Sequence, residues 1–430
     1  MTVLGPNIEF TQVCLDFWDE HLKGKVKQQE KRPEQPKFRV YLQDACVSSR
    51  FVSHRPGEWV SLSAWPDPEY SRQVALVLHD QQLVHTDASA RHMHDEPSSP
   101  PPRWQRVPFS LQVGQNHGEW LDFGAVKPAF DQRPSDAYSL RLDSQPLSER
   151  TAVLGFPELR CRVRVTNHDR GVLVARLNHV TPAGESTMIT YGYLNLTHMN
   201  GHEPGKPRLL ELGTEYDVTL KLHAASYVIP QGEQLRLALS SCYWPGTWPS
   251  SKHVHMEIQH GYTSDGTPAS TLTLPTLSSD VTKYVDPRFN TTAPQISTPL
   301  PLELLSEPGY RAQTLHEPVE NRLVQTVSHD SGLRRYPTLG VTCQHKFTET
   351  HRVVTTDPLS AIASTEHENV AEYADALNEA GEPIRMRVLT SSQLKADHQH
   401  FYFNNSLKCL LNDQLFFERD WKDVLDRQFI

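Results

Sequence analysis

Three large aromatic residues in one short run, Tyr243, Trp244 and Trp248, have side chains that could contact a ligand. Exposed rings on a β-domain stack on sugars or line an apolar substrate cleft. Buried rings beside proline instead close the end of a hydrophobic core, and Pro245 and Pro249 directly follow the two tryptophans. The pattern favours the structural role, and the three residues remain the candidates for substrate binding.

A serine nucleophile of the G-x-S-x-G type requires a sharp turn that exposes its hydroxyl beside an oxyanion hole. No such pattern occurs in the chain. The nearest match is Gly184-Glu-Ser186, where Met188 occupies the position of the second glycine. Ser186 is therefore predicted to be a turn residue, and no catalytic residue is assigned. A Ser, His and Asp set assembled from distant positions stays open as an alternative.

The 22 histidines include closely spaced pairs that could bind a metal ion. These pairs are His92 and His94, His253 and His255, His398 and His400, and His198 and His202. A structural zinc site needs four ligands in a closed set, and no cysteine lies near these pairs in the sequence. The pairs are therefore predicted to be surface or hydrogen-bonded histidines, and the sequence indicates no metal and no cofactor.

The bulk composition excludes several classes of protein. A net charge of −9 with no basic cluster argues against nucleic acid as a partner, because phosphates require Lys and Arg at the contact surface. No stretch approaches the roughly 18 consecutive apolar residues of a membrane-spanning helix. The N-terminus shows no signal-peptide pattern, so a cytoplasmic location is predicted. The six cysteines lie far apart and are predicted to be free thiols.

The elements that would position these residues are mainly β-strands, because apolar residues recur with a period of two. The first such run covers residues 38–42. Eight further runs cover residues 72–79, 138–142, 159–165, 172–180, 188–197, 216–222, 235–242 and 254–258. Glycine and proline separate these runs, which predicts an all-β sandwich or jelly roll. Arg160, Arg162 and Arg164 share one face of their strand and are predicted to face solvent.

The remaining segments differ in pattern. Residues 7–24 predict an amphipathic helix with an apolar face that includes Phe10, Phe17, Trp18 and Leu22. Residues 91–103 predict an exposed loop, and residues 263–320 a linker whose prolines deny it regular structure. An antiparallel meander is predicted beyond this linker, over residues 323–327, 341–347, 351–355, 384–389, 401–411 and 415–418. Residues 366–379 are predicted to form a short helix.

Two of these runs carry a family resemblance. Thr187-Met-Ile-Thr-Tyr-Gly-Tyr-Leu-Asn-Leu-Thr-His198 is followed by Leu235-Arg-Leu-Ala-Leu-Ser-Ser-Cys-Tyr-Trp-Pro-Gly-Thr-Trp-Pro249. They resemble the motifs "T-x-G-x-L-N-L-T-H" and "R-L-x-I-S-x-x-Y-W-P-x-x-W-P" of the C-terminal β-domain in X-Pro dipeptidyl-peptidase and cocaine-esterase-like (CocE/NonD) serine hydrolases. The segments Thr356-Asp-Pro-Leu-Ser360 and Phe416-Phe-Glu-Arg-Asp-Trp421 resemble a bacterial subgroup of the same family.

The resemblance implies where the chemistry of such a protein would lie. An upstream α/β-hydrolase domain cleaves esters or peptides with proline at the second position. Its catalytic histidine comes shortly before a "G-P-A-I-G-F" segment, to which Gly5-Pro-Asn-Ile-Glu-Phe10 corresponds. All three catalytic positions are therefore expected upstream of Met1. The chain also departs from the family motif "A-R-L-x-D-V-x-P-D-G", because His179 and Ala183 replace its two aspartates.

The predicted organisation has four parts. Residues 1–36 are the remnant of an α/β-hydrolase domain, 37–262 the jelly roll, 263–320 the linker, and 321–430 a small antiparallel β region. The main hypothesis is a non-catalytic C-terminal region that packs on a hydrolase domain absent from this chain and shapes its cleft. The alternatives are a stand-alone jelly-roll module of the galactose-binding type for a glycan or peptide, and hydrolase activity from an unrecognised nucleophile. A homo-oligomer stays open.

Overall fold

The computed structural model describes residues 10–23, 36–46, 56–86, 102–116, 131–283 and 300–430. Its α-helices in these ranges are α1 (Phe10–Lys23) and α2 (Arg133–Asp136). The strands are β1 (Phe38–Asp44), β2 (Gly57–Leu62), β3 (Ser71–His79), β4 (Gln82–His85), β5 (Arg103–Val107), β6 (Leu140–Ser144), β7 (Thr151–Gly155), β8 (Glu158–Val165), β9 (Val172–Val180), β10 (Ser186–Asn195), β11 (Glu215–Lys221), β12 (Ala225–Ile229), β13 (Gln234–Ser240), β14 (Met256–His260), β15 (Ser270–Leu277), β16 (Glu303–Leu304), β17 (Gly309–Glu317), β18 (Arg322–Asp330), β19 (Arg334–Tyr336), β20 (Val341–Val354), β21 (Asp357–Leu377), β22 (Pro383–Ala396), β23 (His400–Leu411) and β24 (Gln414–Asp426). Short 3-10 helices cover Leu196–His198 and Pro337–Leu339.

The first sheet, here the sandwich, contains β1 to β15. Its main hydrogen-bonded path runs β10-β9-β13-β6-β4-β3-β15-β7-β12-β1-β2, while β8 pairs with β11, β14 and β15, and β5 pairs with β14. Leucines and valines from most of these strands form one buried cluster between the layers. The predicted mainly β class is therefore confirmed, and the jelly-roll connectivity stays a prediction.

Strand β8 shows how the alternating pattern places side chains. Val163 and Cys161 point into the core, while the arginines between them face outward. The Arg162 guanidinium donates two hydrogen bonds of 2.8 and 2.9 Å to Asp217 on β11, and Arg164 lies 2.6 Å from Glu257 on β14. The prediction of an outward-facing arginine row is confirmed, and each arginine has an acidic partner, which for Arg160 is Glu158 on β8 itself.

Strand β9 is buried along all nine of its residues. A strand of this kind must be covered on both faces. Leu173, Ala175 and Leu177 join the core between the layers, whereas Arg176 and Asn178 lie on the other face and contact Asp136 of α2. The predicted run of residues 172–180 coincides with this strand.

The second sheet, here the C-terminal sheet, contains β16 to β24 and is wholly antiparallel among the described residues. The predicted meander is confirmed, with β20 merging two of the predicted runs into one strand. The helix predicted over residues 366–379 is wrong, because residues 366–377 belong to β21. Val370, Tyr373 and Leu377 have helical spacing, but backbone pairing with β20 and β22 on both sides decides the conformation.

The segment predicted to be a linker is partly regular in structure. The linker expected to be irregular over residues 263–320 contains β15, which pairs with β3, β7 and β8, and also β16 and β17. Pro275 is tolerated within β15, although proline cannot donate to the ladder.

The predicted helix is confirmed as α1 over Phe10–Lys23. The predicted ends of this helix, residues 7–9 and 24, and most of the loop at 91–103 lie outside the described residues.

The two sheets contact each other through an apolar cluster. Leu111, Cys242 and Trp244 of the sandwich pack with Leu323, Val353 and Ala361 of the C-terminal sheet. The chain end reinforces this contact, since Asn195 Nδ2 and Thr197 Oγ1 each donate a 2.9 Å hydrogen bond to the Phe429 carbonyl. The last four residues thus return from β24 to the sandwich.

Candidate functional site

The predicted aromatic candidates lie where β13 leaves the sandwich and meets the C-terminal sheet. Tyr243 is fully buried and packs against Tyr193 at 5.5 Å and Tyr191 at 6.4 Å between ring centroids. Burial raises the pKa of the Tyr243 hydroxyl. Gly246 allows this packing, because a Cβ at that position would lie 2.9 Å from the Tyr243 ring. Tyr243 therefore has a packing role within the sandwich.

The two tryptophans bridge the sheets. The ring of Trp244 meets that of Trp248 edge-on at 5.3 Å and that of His351 on β20 at 5.7 Å. Trp248 in turn contacts Phe401 on β23 at 5.9 Å. Trp244 is only 2% exposed, and the buried Trp248 indole nitrogen has no hydrogen-bond partner among the described residues. The structure thus places the two tryptophans between the sheets and Tyr243 next to them within the sandwich. The role of the three residues toward a substrate stays a prediction.

A buried ionic network, which sequence reasoning missed, lies on the outer face of β9. The carboxylate of Asp136 is 3.0 Å from the Arg176 guanidinium and 3.2 Å from that of Arg236. Asn178 and Ser186 also donate to it, at 3.0 and 2.7 Å. The pKa of Arg236 is raised mainly by its hydrogen bonds to Asp143, and further by electrostatic attraction to Asp143 and Asp136. Two arginines and two aspartates balance the charge, as burial requires.

Ser186 was predicted to be a turn residue, and the structure instead places it in this network. The turn before it is present, because the Gly184 amide donates a 2.8 Å hydrogen bond to the Thr181 carbonyl. Ser186 itself is the first residue of β10 and is 1% exposed. Its hydroxyl donates a hydrogen bond to the Asp136 carboxylate. The nearest approach to a nucleophile pattern is therefore a structural serine.

His179, which replaces a motif aspartate, is also buried. Its Nδ1 lies 3.1 Å from the Tyr227 hydroxyl, and its Nε2 contacts the Glu233 carboxylate. Because the imidazole has a polar partner at each nitrogen, the replacement is accommodated inside the sandwich. Its partners lie 48 and 54 residues away in the chain.

One Ser, His and Asp set is assembled from separate segments. Ser251 Oγ lies 3.4 Å from His168 Nε2, and His168 Nδ1 lies 3.1 Å from Asp169 Oδ1. This is the order of contacts in a catalytic triad. However, Ser251 is 4% and His168 6% exposed, so a substrate carbonyl has no open approach to the hydroxyl. Burial lowers the pKa of His168, and the set is read as a buried polar contact.

The histidines of the predicted pairs have different surroundings. His253 Nε2 lies 3.1 Å from the Thr356 carbonyl, the rings of His198 and His202 are 5.1 Å apart, and His400 lies 3.7 Å from Asp397. His92 and His94 lie outside the described residues. Within the described ranges no group of three or more His, Cys, Asp or Glu side chains is placed to hold a metal ion. All six cysteines are free, as predicted.

A cleft of about 550 Å³ opens on the C-terminal sheet. Its lining includes His329, Arg334, Tyr336, Cys343, His345 and Met386. His345 Nε2 lies 3.3 Å from His367 Nδ1, and burial, followed by repulsion from His345, lowers the pKa of His367. None of the described lining residues is a carboxylate, so the cleft wall itself offers no acidic partner of the kind that orients a catalytic histidine.

The comparisons with known proteins agree with the motifs. The domain family described as "X-Pro dipeptidyl-peptidase C-terminal non-catalytic domain" matches residues 31–278, more than half of the chain. The chain belongs to this family. The resemblance drawn from the runs at 187–198 and 235–249 is therefore confirmed, and the family domain extends through β15.

Solved structures similar to this family member are larger proteins. A CocE/NonD family hydrolase from Staphylococcus aureus is 16% identical with a TM-score of 0.44, covering 63% of this chain and 46% of that one. An aminopeptidase from a marine sediment Thaumarchaeota archaeon is 13% identical, with a TM-score of 0.43 and coverage of 62% and 44%. An α-amino acid ester hydrolase is 13% identical, with a TM-score of 0.39 and coverage of 51% and 39%. The chain spans less than half the length of each.

A search of curated proteins finds no match. No helix within the described residues is long and apolar enough to cross a membrane.

Proposed function

We propose that this chain is the non-catalytic C-terminal region of a CocE/NonD-type serine hydrolase and that it packs on a hydrolase domain and shapes its substrate cleft. Membership in a family described as non-catalytic supports the proposal. The absence of a G-x-S-x-G pattern from the 430 residues agrees with it. A hydrolase domain would supply the nucleophile, the base and the oxyanion hole.

The observation that carries the proposal is the apolar face of α1. Leu15, Phe17, Trp18 and Leu22 are between 51% and 73% exposed. The rings of Phe17 and Trp18 contact each other edge-on at 5.1 Å. Contiguous exposed apolar side chains of this size mark an interaction surface. A hydrolase domain packed against α1 would remove them from water.

A binding experiment tests the proposal directly. The full chain is mixed with the α/β-hydrolase domain encoded in frame with it or beside it, and association is measured by co-purification and calorimetry. The double variant Phe17→Asp/Trp18→Asp is expected to lose binding, while Glu20→Gln on the same helix keeps it. Absence of association, with the chain folded, would count against the proposal.

Activity supplies a second test. The chain alone is expected to remain unlabelled by a fluorophosphonate probe, because Ser251 and Ser186 are buried and hydrogen-bonded. The complex is expected to be labelled only on the hydrolase domain. A labelled serine in the isolated chain, abolished by Ser251→Ala, would instead establish an independent triad.

The glycan or peptide module remains the alternative function. No described contact favours it over the main proposal, since Tyr243 and Trp244 are enclosed.

A further inference from the structure

The C-terminal sheet ends in a long unpaired edge. Strand β24 pairs only with β23 among the described strands. Twelve of its thirteen residues are exposed, including Phe416 at 76% and Leu415 at 58%. An exposed edge strand presents a row of unpaired backbone donors and acceptors to another chain.

The sheet also buries little of its own surface. Of its buried apolar residues, Leu323, Val353 and Ala361 lie against the sandwich. Away from that contact, Phe417, Val424 and Leu425 are between 44% and 57% exposed. Since a sheet normally buries one face against another layer, the β24 end still has apolar surface to bury.

Four charges in the middle of β24 have no partner on the neighbouring strand. Arg419 and Asp420 are paired in register with Leu407 and Ser406 of β23. Lys422 and Asp423 are paired with Asn404 and Phe403. No ion pair involves any of the four within the described part of the chain, although the Arg419 guanidinium lies 5.0 Å from the Trp421 ring centroid.

These charges are complementary to themselves under two-fold symmetry. If two copies of β24 pair antiparallel about Trp421, Asp420 lies opposite Lys422 of the second copy, and Arg419 lies opposite Asp423. Phe417 then faces Leu425. Each contact occurs twice, as in any isologous interface, and opposite charges directly across a strand pair are stabilising.

Neighbouring registers are less favourable. A two-fold axis at Asp420 would place the two Asp420 carboxylates opposite each other, and an axis at Arg419 would place Glu418 opposite Asp420. Like charges directly opposite are destabilising in an antiparallel pair. The charge order of β24 therefore selects Trp421 as the centre.

We propose that β24 pairs with β24 of a second copy of this chain, joining two C-terminal sheets into one continuous antiparallel sheet centred on Trp421. An interface of one strand from each copy is small, so a weak and reversible dimer is expected, with a dissociation constant on the order of 10 μM. The proposal is independent of the proposed function, because it requires no hydrolase domain.

Charge reversal tests the pairing and its register together. Sedimentation of the full chain over a range of micromolar concentrations should show a monomer–dimer equilibrium. Asp420→Lys and Lys422→Asp should each weaken the dimer by about tenfold or more, because each creates two like-charge pairs. The double variant Asp420→Lys/Lys422→Asp restores opposite charges and should restore dimerisation. Glu211→Lys, on an exposed sandwich loop, is the matched control.

Three results would overturn the proposal. These are a monomer at every concentration, a dimer that is indifferent to Asp420→Lys, and a double variant as weak as the single variants. Circular dichroism confirms that each variant is folded. The helix variant Phe17→Asp/Trp18→Asp should leave the dimer unchanged, so failure of dimerisation and failure of hydrolase-domain binding are distinguished.

Discussion

The guanidinium of Arg176 lies 3.0 Å from the carboxylate of Asp136, and both side chains are at most 1% exposed. Removing one member of such a buried pair leaves a charge without compensation. Asp136→Asn would deprive both Arg176 and Arg236 of their shared partner. We therefore expect the free energy of unfolding to fall by about 3–5 kcal/mol, measured by urea denaturation.

The control for that prediction is a surface pair of similar geometry. Arg162 and Asp217 form a bidentate contact of 2.8 and 2.9 Å, but the Asp217 side chain is 73% exposed. Asp217→Asn should cost no more than about 1 kcal/mol. Equal losses for the two variants would show that burial does not govern the network.

A glycine beside the aromatic cluster gives a second prediction. A Cβ on Gly246 would lie 2.9 Å from the Tyr243 ring, which is fully buried, and 3.0 Å from the Tyr193 hydroxyl. Gly246→Ala should therefore lower the unfolding free energy by about 1–3 kcal/mol through overpacking. Gly309→Ala on β17 is the control, because its nearest neighbour would be Asp330 Cβ at 3.8 Å. A neutral Gly246→Ala would contradict the tight packing.

Local sequence patterns predicted the strands well where burial alternates. Leu235, Leu237 and Leu239 share a face in the sequence and all enter the core. The pattern failed at Val370, Tyr373 and Leu377, whose helical spacing is local, whereas the pairing that makes them part of β21 comes from β20 and β22. Strand pairing between distant segments overrides weak local preferences.

The contacts between buried polar residues could not be predicted from the sequence for a similar reason. Asp136 lies 40 residues or more from Arg176, Asn178 and Arg236, and only the folded sheet brings them together. The set of Ser251 and His168 likewise spans 83 residues. The aromatic run was visible in the sequence, but its packing against His351 and Phe401 depends on a second sheet placed by tertiary structure.

The third prediction concerns the chain end. The buried Arg427 guanidinium donates to the carbonyls of Ile430 at 2.8 Å, Asp397 at 3.0 Å and Pro249. Burial lowers its pKa to about 10, so it stays charged at neutral pH. Arg427→Met should expose the tail, because three carbonyls lose their donor, at a cost of about 2–4 kcal/mol.

Hydrogen exchange provides the readout for this variant. Amide protons of residues 427–430 should exchange faster in Arg427→Met than in the parent chain, as should that of Phe401, whose ring centroid lies 5.3 Å from the Arg427 guanidinium. Arg311→Met, at an exposed position on β17, should leave that exchange unchanged. Unaltered protection of the tail in Arg427→Met would show that the hydrogen bonds to Phe429 are sufficient alone.

The fourth prediction is a loss of stability in mild acid. Burial lowers the pKa of His168 below its ordinary value of 6.5, although Asp169 opposes the shift. The unfolded chain therefore binds the proton more readily than the folded one, and the unfolding free energy must fall as the pH drops through about 6.5. One such group contributes a slope of at most about 1.4 kcal/mol per pH unit. The unfolding free energy is measured by urea titration between pH 7.5 and pH 5. His168→Gln should reduce its dependence on pH. The control His398→Gln, at an exposed position, should leave that dependence unchanged. If the slope is the same in His168→Gln and the parent, the imidazole beside Ser251 takes up its proton as easily in the folded protein as in the unfolded one.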